Sequence, residues 1–181
     1  MADLSGKKVA ILVDNYFEED EFTGPLDALK QAGAKVEVIA AEPENGEVQA
    51  LQHVDKSRRY QIDKTLEEAN IEDYDALVLP GGAINSDQLR MQDKARQWVK
   101  QVTEQGKPLA VICHAPWVLA SAGLAKGRKL TSFFTIQDDM RDAGADWVDE
   151  EVVIDGNLIT SRKPDDVPAF NDALISMLGM A

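Results

Sequence analysis

Short, uninterrupted apolar runs alternate along the chain with stretches whose apolar residues recur every three or four positions. Residues 7–14 (KKVAILVD) form the first run, rich in β-branched side chains and ending at Asp14 and Asn15, as a buried parallel strand does. From about Asp20 to Gly33, Phe22, Leu26, Leu29 and Ala32 share a helical face and Gly33 supplies the stop. Pro25 fits that helix only in its first turn, where no amide donor is missed. Residues 35–42 (KVEVIAAE) read as a second strand, and the weakly periodic stretch from Pro43 to about Asn70 as short strands or a hairpin.

Residues 74–82 (YDALVLPGG) give a further buried strand that stops at Pro80, Gly81 and Gly82. One helix is expected from there to about Gln105, with Ala95, Trp98, Val99 and Val102 on one face. KPLAVIC is the next strand and APWVLASAGL the next helix, with Pro116 in an early helical position. Short strands are expected around Leu130 to Phe134 and Trp147 to Ile154, followed by a turn at Asp155 to Asn157 and a returning strand, NLITSR. DDVPAFNDALISMLG closes the chain as a helix, with Asp165 as its cap. Alternating strands and helices without repeats or linker tracts predict an α/β, flavodoxin-like three-layer sandwich, a mostly parallel sheet with helices on both faces. The 181 residues suit a single domain, residues 1–181.

Charge narrows the partners. With 19 basic and 32 acidic residues the net charge is −13, so nucleic acid and anionic membrane surfaces are repelled. No apolar run approaches the ~20 residues of a membrane span. The N-terminal residues lack a leader pattern and a lone cysteine cannot form an intrachain disulfide, so a cytoplasmic location is expected.

That lone cysteine, Cys113, stands where LAVI meets HAPWVLAS, at the joint of a strand and a helix. A side chain on such an elbow is held above the carboxyl edge of the sheet, where open α/β folds bind ligands, and the helix start favours a thiolate. The competing expectation is a small buried core residue. The amides of Gly81, Gly82 and His114 are candidate oxyanion donors at the same edge. Glu18, Glu19, Asp20 and Glu21 run together near the first helix, where a solvated, dipole-stabilising cluster is also expected; Glu18 and Glu21 can share a face. His114 follows Cys113 directly, so a hydrogen-bonded pair is not assumed. His53 reads as surface, Trp98 and Trp147 as core, and Trp117 as a wall of the pocket. Neither metal-ligand nor nucleotide-binding spacing is present, so no metal and no cofactor is expected.

VLPGG, then AVICHAPWVLASAGLAKGRKLTS, then DDMRDAGADWVDEEVVIDGNLITSRKPDDVPAF resembles the PfpI, or intracellular protease I, family over nearly the whole chain. That family lies in the class I glutamine amidotransferase-like superfamily, alongside the human parkinsonism-associated deglycase. The resemblance implies a flavodoxin-like fold, an elbow cysteine at Cys113, its histidine at His114 and a partner acid near the first strand. Aligning FEEDEF on its phenylalanine favours Glu18, whereas counting back from Pro25 favours Glu21, and both are carried. Asp87 matches an acid that reaches a neighbouring subunit's histidine in PfpI-like oligomers, in a loop one residue longer here than in the archaeal protease-type members. Ala115 replaces the glycine usual after the histidine. No histidine follows His114, so glutaminase activity is not expected.

Three functions follow from these residues and the resemblance. One is a stress-response cysteine hydrolase of glyoxalase or deglycase type acting on a small carbonyl or a glycated protein. Another is a cysteine peptidase using Cys113, His114 and an intersubunit Asp87 in a homodimer or larger homo-oligomer. The third is a non-catalytic oxidation sensor or chaperone-like protein.

Overall fold

In the computed structural model, which describes residues 2–180, the chain begins with β1 (Lys8–Val13), β2 (Phe17–Glu18), α1 (Glu19–Gln31), β3 (Lys35–Ala40), β4 (Glu47–Gln52), β5 (Asp55–Gln61) and β6 (Lys64–Thr65). The middle holds β7 (Ala76–Leu79), α2 (Ala83–Leu89), α3 (Asp93–Glu104), β8 (Leu109–Ile112) and α4 (Pro116–Ser121). It closes with β9 (Lys129–Leu130), α5 (Gln137–Asp142), β10 (Asp146–Trp147), β11 (Val153–Asp155), β12 (Leu158–Ser161) and α6 (Val167–Met180). The first and last residues of the expected 1–181 domain lie outside the described residues.

Seven strands make the central sheet in the order β11-β12-β8-β7-β1-β3-β6, parallel except for the β11–β12 pair. This is the expected flavodoxin-like sandwich. From β1 the chain crosses to β3 on one side and returns to β7 on the other, so the carboxyl ends of β1, β7 and β8 border a crevice at the reversal of strand order. Alternate strand residues feed two cores because side chains point to opposite faces. Val9, Ile11 and Val13 pack with Phe22, Leu29, Phe170 and Leu174 of α1 and α6; Ala10 and Leu12 pack with Trp98, Val99, Val102 and Met140 on the other face. Cys113 belongs to the α1 side. Among the described residues no helix is long and apolar enough to cross a membrane.

Several local expectations are corrected. Helix α1 begins at Glu19, which puts Pro25 in its second turn rather than its first. A proline there costs ~3 kcal/mol of helix propensity, and the burial of Phe22, Pro25 and Leu29 against the core outweighs it. Gly24 permits the close approach that follows, since a Cβ there would sit 2.4 Å from Cγ1 of Val167 at the start of α6. The expected single helix to Gln105 is two helices, α2 and α3. At ~100° per residue Leu89 and Trp98 would point to opposite sides of one continuous helix, yet both are buried. The break lets each bury its own face. Between Lys126 and Ser161 the chain carries short strands, a 3₁₀ turn at Phe134–Ile136 and the unexpected α5, whose one buried residue, Met140, gave no periodic signal. Asp165 is exposed in a 3₁₀ turn; it is Asp166, 2% exposed, that accepts bonds from the amide and guanidinium of Arg162.

Trp98 fills the layer opposite the thiol. Trp98→Ala is expected to lower stability by ~3–5 kcal/mol, read as a shift in the urea midpoint at unchanged slope.

Candidate active site

The sequence places Cys113 directly after β8, in the turn that leads into α4, and the backbone holds it there in a left-handed conformation, φ 67°. For a residue with a Cβ this costs on the order of 1–3 kcal/mol and persists only where neighbours enforce it. Here the Cys113 amide donates to the Ser161 carbonyl at 3.0 Å, and its carbonyl accepts from the Phe133 amide at 2.7 Å. The turn also folds the adjacent histidine back. Sγ lies 3.2 Å from Nδ1 of His114, so adjacency does not prevent pairing within one chain. Phe133 stacks on the His114 ring at 4.8 Å and Trp117 meets it edge-on at 5.3 Å. Burial holds His114 below the usual imidazole range. Trp117 does not wall the pocket as expected; its Nε1 donates to Asp139 at 2.8 Å and its ring supports His114 from outside.

The four consecutive acids part company. Because β2 is extended and α1 starts at Glu19, Glu21 turns inward and is fully buried. Its Oε1 accepts the Gly81 amide at 3.0 Å, while Oε2 is buried with no hydrogen-bond partner among the described residues. Glycine is required at 81: a Cβ would lie 2.4 Å from that Oε1, 2.5 Å from Cβ of Cys113 and 2.8 Å from the Ile112 carbonyl. The carboxyl and the cysteine thus stand on either side of a space too small for one methyl group. Glu18 turns instead to the β4–β5 hairpin and accepts the His53 amide at 3.2 Å. Glu19 holds the same hairpin through Ser57, Tyr60 and Gln52, and Asp20 is exposed. Of the two alternatives carried from the sequence, Glu21 is therefore the acid beside the thiol and Glu18 lines the pocket.

Burial pushes the Glu21 carboxyl up to about 8, and the charge of Glu18 adds to the effect. Glu21 therefore holds a proton at neutral pH. Burial likewise pushes the Cys113 thiol up, as does any charge on Glu21, against the pull of the Gly82 and His114 amides. The low thiol pKa expected at an elbow is thus opposed by burial, and a thiolate is favoured only when Glu21 is neutral.

A pocket of about 430 Å³ opens over the thiol, lined by Glu18, Glu21, Gly82, Cys113 and His114 among polar groups. Four non-glycine residues have positive φ among the described residues, and three of them, Tyr16, His53 and Cys113, line this pocket. His53, read from the sequence as surface, is exposed but belongs to this rim; Tyr16, Leu51, Val54, Ile84, Phe133 and Pro164 also went unforeseen. Nothing in their spacing signalled it, since the hairpin's position depends on the pairing of β2 with β4. Asp87 is exposed on α2 and lines a different, acidic depression with Asp14 and Glu42. Asn85, fully buried, ties the site's loops together by accepting the Asp14 amide and donating to the Pro80 and Gly81 carbonyls.

Residues 7–177 match the model of the DJ-1/PfpI family. The chain belongs to the DJ-1/PfpI family. Within it, the chain is 41% identical over 174 residues to general stress protein 18 of Bacillus subtilis, covering 96% of this chain and 98% of that one. It is similarly 41% identical to protein/nucleic acid deglycase 2 of Escherichia coli, over 96% of this chain and 98% of that protein. A solved two-domain protein of Anabaena variabilis, containing dj-1/thij/pfpi-like and ferritin-like domains, superposes with a TM-score of 0.88 at 41% identity. That match covers 96% of this chain and 48% of the larger protein.

The buried acid of this DJ-1/PfpI chain has a consequence for stability. With Glu21 at about 8 in the fold against 4.5 ordinarily, the folded chain keeps a proton that the unfolded chain releases between those values. The stabilisation is complete below about pH 4.5 and is lost as pH rises through about 8. Glu21→Gln is expected to flatten that decline, measured as urea midpoints from about pH 5 to about pH 8.5; slopes equal to wild type would contradict the assignment.

Proposed function

We propose that this protein is a cytoplasmic, cysteine-dependent hydrolase of the stress response that acts on reactive carbonyls or early glycation adducts, of glyoxalase or deglycase type. The observation that carries the reading is the proton-bearing carboxyl of Glu21 beside Cys113 on the floor of a concave pocket. Its two relatives named above as a stress protein and a deglycase support it. The span of the family match, residues 7–177, supports reading the chain as one domain.

In this scheme Nδ1 of His114, 3.2 Å from Sγ, takes the thiol proton as the Cys113 sulfur attacks the aldehyde carbon of a 2-oxoaldehyde. A C–S bond forms, the carbonyl electron pair moves to oxygen, and that oxygen takes the Glu21 proton. The Gly82 and His114 amides, with Gly81 fixing the carboxyl, are the donors for the developing charge. Glu21, now a carboxylate, takes the proton from the former aldehyde carbon and the neighbouring ketone carbon is reprotonated. The first carbon is oxidised and the second reduced, so no outside oxidant is needed. Water then cleaves the thioester to a 2-hydroxy acid, lactate from methylglyoxal. From a hemiaminal adduct the same sulfur forms its C–S bond as the C–N bond breaks and Glu21 protonates the departing nitrogen, which gives the free amine and the same hemithioacetal. Glu18 and His114 hold the substrate and relay protons, and no metal or cofactor enters any step.

The 3.2 Å approach of His114 to Sγ favours a second reading, a cysteine peptidase. A thiol only 6% exposed suits a small carbonyl or the end of a long side chain better than the main chain of a substrate protein. Asp87 reaches such a dyad only from a neighbouring copy, so a homo-oligomer belongs to the peptidase reading.

Freshly reduced protein is expected to convert methylglyoxal to lactate over many turnovers. Cys113→Ser should abolish this and Glu21→Gln should lower kcat by ~10²-fold or more, with a smaller loss for Glu18→Gln. Turnover persisting in Cys113→Ser would sink the proposal. One equivalent or none from wild type, with the thiol still alkylating, would favour the oxidation sensor.

A further inference from the structure

The pocket offers more room and more apolar wall than a three-carbon aldehyde occupies. Its volume is about 430 Å³, that of roughly fourteen liquid waters at ~30 Å³ each. The reacting groups lie at the floor, with Cys113 6% and Glu21 0% exposed. At the mouth, two large apolar side chains stand in water, Val54 at 87% and Ile84 at 48% exposure. Leu51 and Phe133 continue this wall inward. Among the described residues no lysine or arginine lines the pocket; its carboxyl groups are those of Glu18 and Glu21, and the Lys56 ammonium lies over the Tyr16 ring, 5.9 Å from its centroid.

The chain gives up favourable turn chemistry to build this mouth. His53 and Val54 form the two-residue tip between β4 and β5, where Gln52 pairs with Asp55. Such tips favour glycine, asparagine or aspartate, which adopt positive φ at little cost. Here His53 holds φ 58° and a valine follows it. The Glu18 carboxylate fixes the tip by accepting the His53 amide at 3.2 Å. A strained tip that presents an aliphatic side chain to solvent beside a reactive pocket is explained by an apolar group that covers it.

We infer that this mouth is a substituent site, and that the protein takes neutral 2-oxoaldehydes bearing an aryl or branched alkyl group. The aldehyde carbon lies at Cys113 and the substituent against Val54 and Ile84. This rests on the carbonyl-hydrolase reading above and keeps its bond changes. An anionic substituent against Val54 and Ile84 would face the Glu18 carboxyl with no lysine or arginine in the lining, so carboxylated or phosphorylated analogues are poor substrates.

The test compares kcat/KM for phenylglyoxal and methylglyoxal in wild type and in Val54→Ser/Ile84→Ser, with 4-carboxyphenylglyoxal as the charged analogue. The double variant is expected to lower the phenylglyoxal-to-methylglyoxal ratio about tenfold. The charged analogue should be at least about tenfold poorer than phenylglyoxal in wild type. A variant ratio within about twofold of wild type, or a charged analogue as good as phenylglyoxal, overturns the substituent site while leaving the hydrolase reading standing. Failure of wild type to turn over either aldehyde removes both. Both side chains are on the surface, and a melting curve checks the fold; if the double variant melts below assay temperature, Val54→Ser alone reads the same ratio.

Discussion

A carboxyl group removed from water beside a thiol is the constraint on which the rest of this site depends. A charged Glu21 in that place would repel a thiolate and would cost several kcal/mol of desolvation. The protein resolves this by letting the carboxyl keep its proton. Gly81 makes the arrangement possible twice over: its amide binds one carboxyl oxygen, and its missing side chain leaves the space that both groups need. Among the described residues the other oxygen has no hydrogen-bond partner with geometry like that of the Gly81 amide, so it is the one left to exchange a proton with the neighbouring thiol or with a substrate.

The fold supplies the positions. β1, β7 and β8 are adjacent or nearly so in the sheet, and their carboxyl ends deliver the acid-bearing helix, the glycine turn and the cysteine to one crevice. Backbone strain is concentrated there, at Tyr16, His53 and Cys113. Each is held by hydrogen bonds to another element: Tyr16 to Gln49, His53 to Glu18, and Cys113 to Ser161 and Phe133. The well-packed strands beneath sustain that strain without being part of the chemistry.

The strands of the sheet were legible because parallel strands buried on both faces are nearly continuous in apolar residues, as KVAILV and LAVI are. The elbow was legible for the same reason, since an apolar run ended at a cysteine just before a helix-compatible Pro116. The choice between Glu18 and Glu21 was not, because it turns on where α1 begins, and that is set by pairing of Phe17 and Glu18 with β4. His53 and Val54 were hidden for a related reason. A hairpin tip contributes to a pocket through tertiary placement, and neither periodicity nor residue type records that. Helix α5 escaped because QDDMRD has a single buried side chain, too little for a helical stripe.

The chemistry of this site requires Glu21 to be neutral beside Cys113 at physiological pH. Infrared difference spectroscopy between wild type and Glu21→Gln at pH 7, with deuterium exchange to mark the band, tests it directly. A neutral Glu21 gives a protonated carboxylic acid C=O stretch in wild type that is missing from the variant. A spectrum in which the variant loses only carboxylate bands would show Glu21 ionised and would contradict it.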